Sequence, residues 1–311
     1  MHRVAGVETT FLFMTSNSFS FEKSLKPLVI EEWLDLVFFR KVAFFLVPTL
    51  HRLGLSPNQV SFISLSCGVT ASILVYYHFF ILGALMALAA ISFDCCDGQI
   101  ARLTGKASPL GRVTDGLFDL IWVACFWSSI YFSGYFQSLG FSPLWMLLLM
   151  SFSGASMIFH CWRFDGIKLK YLELAVPNFS EKDLDYDDAI TMMKQKWKER
   201  HIFETVLCAC IAFQVYFFVR GKKKKESLNL PDSKRIEIKE KLDPIMKKWP
   251  WLGESHHNTS LILGVMLAPL TPYALIAAFG LILIPMNILF ISLEIQWQKA
   301  IKEVNKNIIQ K

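Results

Sequence analysis

Six stretches of this chain, 59–77, 79–103, 110–132, 143–162, 202–219 and 273–293, each come close to the roughly 20 apolar residues that cross the hydrocarbon core of a bilayer. In hydrocarbon the backbone N–H and C=O groups must be satisfied within the protein itself, so runs of this length specify helices. Composition agrees: 53% of the 311 residues are hydrophobic, 27 are Phe, and only 19% are charged. The expected fold is all-α, a polytopic membrane bundle of about six transmembrane helices with an interfacial amphipathic helix before it.

That amphipathic element is read over residues 31–55, after an N-terminal tail, 1–30. Trp33, Leu34, Val37, Phe38, Phe44, Phe45 and Val47 alternate with Glu31, Glu32, Asp35, Arg40, Lys41, His51 and Arg52, the pattern of a helix lying in the interface plane. The longest early apolar run, Phe11 to Met14, is too short for the core of a cleavable signal peptide. Ser56-Pro57 then reads as a cap followed by Pro at the first helical position, opening the first span.

A membrane core is expected over 56–220, interrupted by a polar insert at 163–201. In that insert Ser180 with Asp183 is a candidate cap, and an acidic patch (Glu181, Asp183, Asp185, Asp187, Asp188) leads into Lys194, Lys196, Lys198 and Arg200. The patch fails as a calcium loop, with Asp188 where Gly belongs and Lys194 where Glu belongs.

Segment 221–257 carries ten basic and six acidic side chains, so the positive-inside rule makes it cytoplasmic. Six full crossings would instead put it outside. The two expectations conflict, and 258–272, with Pro269 and Pro272, reads as a re-entrant, additional or broken helix. A membrane region at 258–295 and a polar tail at 296–311 complete the division. Seven cysteines show no zinc or disulfide spacing, and the net charge of +6 suits anionic lipid headgroups or phosphorylated substrates. No nucleic-acid partner is expected.

Four carboxylates stand out against this background: Asp94, Asp97, Asp115 and Asp119 fall within 26 residues of apolar sequence. Each would cost about 2.5–3.5 kcal/mol at the centre of a membrane helix, so together they require cations and a wet cavity. Asp94, Asp97, Gly98, Ala101 and Gly105 follow i, i+3, i+4 spacing, which puts both carboxylates on one stripe with small residues. Ser108-Pro109 starts the next helix, where Gly111, Asp115 and Asp119 recur every four residues. A tight loop, 104–108, turns the two stripes towards each other. Facing carboxylates suit Mg2+ or Mn2+, hard cations that bridge phosphates, and Arg102 and Arg112 lie where a phosphate would balance them.

The pattern Asp94-x2-Asp97-Gly98-x2-Ala101-Arg102-x8-Gly111-x3-Asp115-x3-Asp119 resembles the complete signature of the CDP-alcohol phosphatidyltransferases. The resemblance extends to Ser56-Pro57-Asn58 and to Glu199-Arg200, covering about 56–220. It implies a six-helix enzyme, often a homodimer, whose cavity opens to the cytoplasm and passes a substituted phosphate from a CDP-alcohol to an acceptor hydroxyl, releasing CMP. By that resemblance Asp94, Asp97 and Asp115 hold two metal ions, and Asp119 is the general base and a further metal-site residue. Asp97, Gly98, Ala101, Arg102, Gly111 and Asn58 would shape the CDP pocket.

The donor is CDP-diacylglycerol or a CDP-amino alcohol. A phosphorylated acceptor would need added cations, for which Arg112, Arg163 and Arg200 are candidates. Ser108-Pro109-Leu110-Gly111 also resembles choline and ethanolamine phosphotransferases, which use diacylglycerol as acceptor, although Gly116-Leu117 replaces the His-Gly that often follows their third Asp. An intramembrane prenyltransferase would need a second Asp-rich pair, which 202–311 lacks. A carboxylate-based transporter would need ionisable groups spread across the bilayer rather than clustered at one face.

Overall fold

The computed structural model describes residues 20–106, 109–177, 186–202, 205–206, 208–209, 212, 230–271 and 273–306. The described residues form helices and no strand. Helix α1 is Arg40–Arg52, α2 Pro57–Tyr76, α3 Phe80–Thr104, α4 Pro109–Phe132, α5 Pro143–Ala175 and α6 Tyr186–Lys198. After these come α7 (Asp232–Met246), α8 (Glu254–Leu267), α9 (Tyr273–Leu283) and α10 (Pro285–Val304). Five stretches are long and apolar enough to cross a membrane: Pro57–Tyr76, Phe80–Thr104, Thr114–Ser138, Pro143–Ala175 and Tyr273–Val304. They match five of the six expected spans. The other, 202–219, lies mostly outside the described residues, as do Ser108, the cap expected at Ser180 and Asp183, Pro272 and the basic run Lys222–Lys225.

Local chemistry sets the boundaries. Ser56 and Gln59 form a reciprocal capping box, with Ser56 N donating to Gln59 Oε1 at 2.8 Å, and Pro57 fills the first position, where a missing N–H costs nothing. Gly105 ends α3 in the left-handed region, φ +67°, which only glycine adopts without strain. Helices α2 and α3 meet through small residues. A Cβ on Gly83 would sit 2.7 Å from Val75 Cγ2, and Ser64 Oγ donates to Ala90 O at 2.8 Å.

Helix α3 is the hub, packed against α1, α2 and α8. The element before α1 behaves differently from a simple amphipathic helix. Across it and α1 both faces carry apolar residues, Phe39, Ala43, Val47 and Leu50 buried and Val37, Phe38, Phe45 and Leu53 exposed, while Asp35 and Arg40 are buried. Arg40 pairs with Glu31 at 2.9 Å and Asp35 at 3.6 Å, so these charges can turn inward. Arg40 O and Ala43 O then accept from Gln99 Nε2 and Cys96 Sγ on α3.

Helix α5 does not stop at 162 but runs on to Ala175, because Phe164, Ile167, Tyr171 and Leu174 recur at helical spacing and bury against Ile238, Leu242 and Trp249. Arg235 of α7 caps its end, donating to the carbonyls of Glu173, Leu174 and Val176. Short connections make α2 to α5 antiparallel, so α7 lies at the end of the bundle that holds the α3–α4 turn. Helix α8 leaves from that end, where Ser255 Oγ donates to Asp35 Oδ1 at 2.6 Å. At the opposite end Ala268 O accepts from Tyr135 Oη at 2.8 Å. Although only 14 residues long, α8 runs the depth of the bundle, and α9 and α10 return. The described part of 221–257 sits at the end with the acidic stripes, and the segment with Pro269 is the turn between α8 and α9.

Candidate metal centre

The last three turns of α3 and the first three of α4 bring the acidic stripes together. Asp94, Asp97 and Asp115 each present a carboxylate oxygen, and the three oxygens lie within 4.8 Å of one another. Asp97 is the most enclosed, 4% exposed, and its Oδ2 accepts from Ser61 Oγ on α2. Three such oxygens, with one oriented by a hydroxyl, fit a hard divalent cation and cost repulsion without one.

Asp119, one turn further along α4, stands outside this group. Its Oδ1 accepts from Trp122 Nε1 at 3.2 Å, which leaves the rest of the carboxylate unengaged by that bond. Trp122 is buried against Gly68 of α2, where an added Cβ would come within 2.6 Å of Trp122 Cβ. Gly68 therefore lets α2 and α4 approach closely enough to seat the indole beside Asp119.

The small residues of the motif flank an arginine. A Cβ on Gly98 would lie 3.3 Å from Arg102 Nη1. Arg102 Nε donates to Ser24 O, while its buried Nη2 has no partner, so a guanidinium edge remains for an anion beside the carboxylates. Asn58 is exposed in the first turn of α2, one turn before Ser61. Ala101 and Gly111 are half-buried on α3 and α4.

The three arginines considered for an acceptor phosphate diverge. Arg163 makes a bidentate pair with Glu294, at 2.9 and 2.7 Å. Arg200 is exposed in the turn after α6, and the Arg112 side chain lies outside the described residues.

Sequence reasoning missed Ser61, Trp122 and Glu254. Ser61 could have been found as the residue one turn past Asn58, and Trp122 as the residue one turn past Asp119. Glu254 has no local signal, yet at the start of α8 it is within electrostatic reach of Asp94, Asp115 and Asp119.

Residues 54–168 match the profile of a known family, described as CDP-alcohol phosphatidyltransferase. An archaetidylinositol phosphate synthase from Pyrococcus horikoshii is 35% identical over 71 residues. That match spans 23% of this chain and 38% of the relative's length. No solved structure matches the chain. The matched stretch contains Ser61, the three clustered carboxylates, Asp119 and Trp122, and over it the chain is similar to the CDP-alcohol phosphatidyltransferases.

Proposed function

We propose that the protein transfers a substituted phosphate from a CDP-alcohol to an acceptor hydroxyl, releasing CMP, in phospholipid biosynthesis. The observation that carries this reading is the three-carboxylate group of Asp94, Asp97 and Asp115 inside the family-matched stretch. Mg2+ or Mn2+ held there, as one or two ions, supplies charge neutralisation for the pyrophosphate and the departing CMP. Arg102, with Gly98 and Ala101 leaving space beside it, binds the nucleotide's phosphate, and Asn58 and Gly111 complete that pocket. The acceptor oxygen attacks the β-phosphorus, the bond to the bridging oxygen of CMP breaks, and the acceptor proton passes to Asp119. Trp122 holds Asp119 in place for this transfer.

The site is proposed to face the cytoplasm, supported by segment 221–257, with ten basic and six acidic side chains, whose described part lies at the same end of the bundle. By the family's pattern the active unit is a homodimer, which light scattering of the purified protein tests. A reading with a CDP-amino alcohol as donor and diacylglycerol as acceptor is supported by one observation: Arg163, a candidate for an acceptor phosphate, is committed to Glu294.

The deciding experiment incubates purified protein and Mn2+ with CDP-diacylglycerol or CDP-ethanolamine and a panel of acceptors, measuring CMP. CMP is expected only with the right acceptor, and Asp119→Asn should lower its rate by at least 100-fold. CMP formed equally by Asp119→Asn, or without acceptor, would rule out Asp119 as the base.

A further inference from the structure

Trp33 and Trp251 stack at the bundle end that holds the acidic stripes, with ring centroids 6.1 Å apart and planes 11° apart. Each indole stays half exposed, at 52% and 50%. Trp251 also packs on the His256 ring at the start of α8, centroids 4.8 Å apart. Half-exposed indoles braced at a bundle end suit the level of the lipid headgroups, where the ring is apolar on one side and wet on the other.

Two hollows meet at Trp251. One, of about 170 Å3, lies between Leu28, Trp33 and Leu36 of the segment before α1 and Lys247, Pro250 and Trp251 after α7. The other, of about 380 Å3, starts at Leu34 and Trp251 and follows α8 to Leu263, facing Leu281 and Met286 of the 273–304 membrane span. From His256 to Leu263 the α8 wall rises about 10 Å, two-thirds of the roughly 15 Å of hydrocarbon in one leaflet. Leu263 and Leu281 remain 49% and 42% exposed, so the second hollow is a trough open sideways to lipid.

Charge distinguishes the two hollows. Lys247 lines the first and makes no ion pair among the described residues. The carboxylate that lines it, Glu31, is already engaged, with Oε2 paired to Arg40 at 2.9 Å and Oε1 accepting from Lys26 N at 2.7 Å. The first hollow therefore presents one positive charge beside two indoles, and the second continues from it as hydrocarbon. That sequence of polarity is the one an anionic phospholipid presents in reverse. A free phosphate would use the first hollow alone, and a neutral lipid would leave Lys247 without a counter-charge.

We infer that this groove holds one anionic phospholipid of the surrounding bilayer, its phosphate at Lys247 beside the Trp33 and Trp251 stack and one acyl chain laid along α8 towards Leu281. The lipid bridges the segment before α1 and the start of α8, which Asp35 and Ser255 also join. Every residue lining the two hollows lies outside the family-matched 54–168, and none belongs to the metal centre. Lipid binding here and phosphate transfer at Asp94, Asp97 and Asp115 are thus tested separately.

The test is native mass spectrometry of the full chain in detergent, without nucleotide or divalent cation, titrated with dioleoyl-phosphatidylglycerol or dioleoyl-phosphatidylcholine so that the first lipid bound is resolved. Wild type should take its first phosphatidylglycerol about fivefold more tightly than its first phosphatidylcholine, the effect of one lysine at a headgroup. Lys247→Glu should remove that preference. Lys239→Glu, the same change of charge on an exposed position of α7, should keep it. Leu281→Trp, which fills the trough, should weaken the first molecule of both lipids at least fivefold. Equal affinity for the two lipids in wild type, a preference retained by Lys247→Glu or lost equally in Lys239→Glu, or undiminished binding in Leu281→Trp would each overturn the proposal.

Discussion

Gly68→Ala tests whether close packing of α2 on α4 positions Asp119. The new methyl would lie 2.6 Å from Trp122 Cβ, 2.7 Å from Cγ and 2.9 Å from Cδ2, where ordinary contact begins at 3.4 Å. Because the clash starts at Cβ, a rotamer change cannot relieve it, and the two helices must part by about 0.8 Å. Overpacking of this kind costs about 1–3 kcal/mol. Asp119 and Trp122 are both on α4 and move together, so their 3.2 Å bond is kept while Asp119 is displaced relative to Asp94 and Asp97 on α3. A misplacement near 1 Å costs about 10²-fold in rate, so kcat for CMP release should fall roughly 30- to 100-fold with KM for the CDP-alcohol little changed. Thermal unfolding in detergent reports the packing cost, and Trp122→Phe, which keeps the ring but loses its N–H, tests the bond to Asp119 separately and should lower kcat without helix displacement. A Gly68→Ala protein with lowered Tm but kcat within twofold of wild type would show that the packing of α2 on α4 does not position Asp119. An unchanged Tm would refute the clash itself.

Two further outcomes follow from the same structure. Ser61→Ala removes the hydroxyl from Asp97 Oδ2, and since outer partners of ligands are worth about 10- to 100-fold in metal affinity, the Mn2+ activation curve should move to higher concentration, with chelation abolishing activity in both proteins. Arg40→Met leaves Glu31 and Asp35 buried without their cation, a loss of about 3–5 kcal/mol measurable in denaturant, and Glu31→Leu added to it should recover part of that loss.

The acidic helices and most spans are legible because each is a local periodicity: carboxylates three and four residues apart, and apolar runs bounded by Ser-Pro starts and a Gly stop. Helix α8 is not, because its first turns, Glu254 to Thr259, are polar and it is too short to register as a crossing. Its polar start becomes intelligible only beside Glu32, Asp35 and His160, the last reaching His257 Nε2 at 3.1 Å. The extension of α5 past 162 is masked by Arg163, Asp165 and Lys168, although Phe164, Ile167 and Tyr171 carry the helical period between them. Arg163 looked available for phosphate because its partner, Glu294, lies 131 residues away.

Glu32 and Asp35 emerge early in synthesis but meet His256 and Ser255 only 224 and 220 residues later. Until then the segment that also grips α3 through Arg40 is a clasp with one half missing. A chain halted before Gly253 holds every residue of the family signature and still lacks what fastens it. The helix that carries Asp94 and Asp97 is in this way fastened through residues from nearly opposite ends of the described chain.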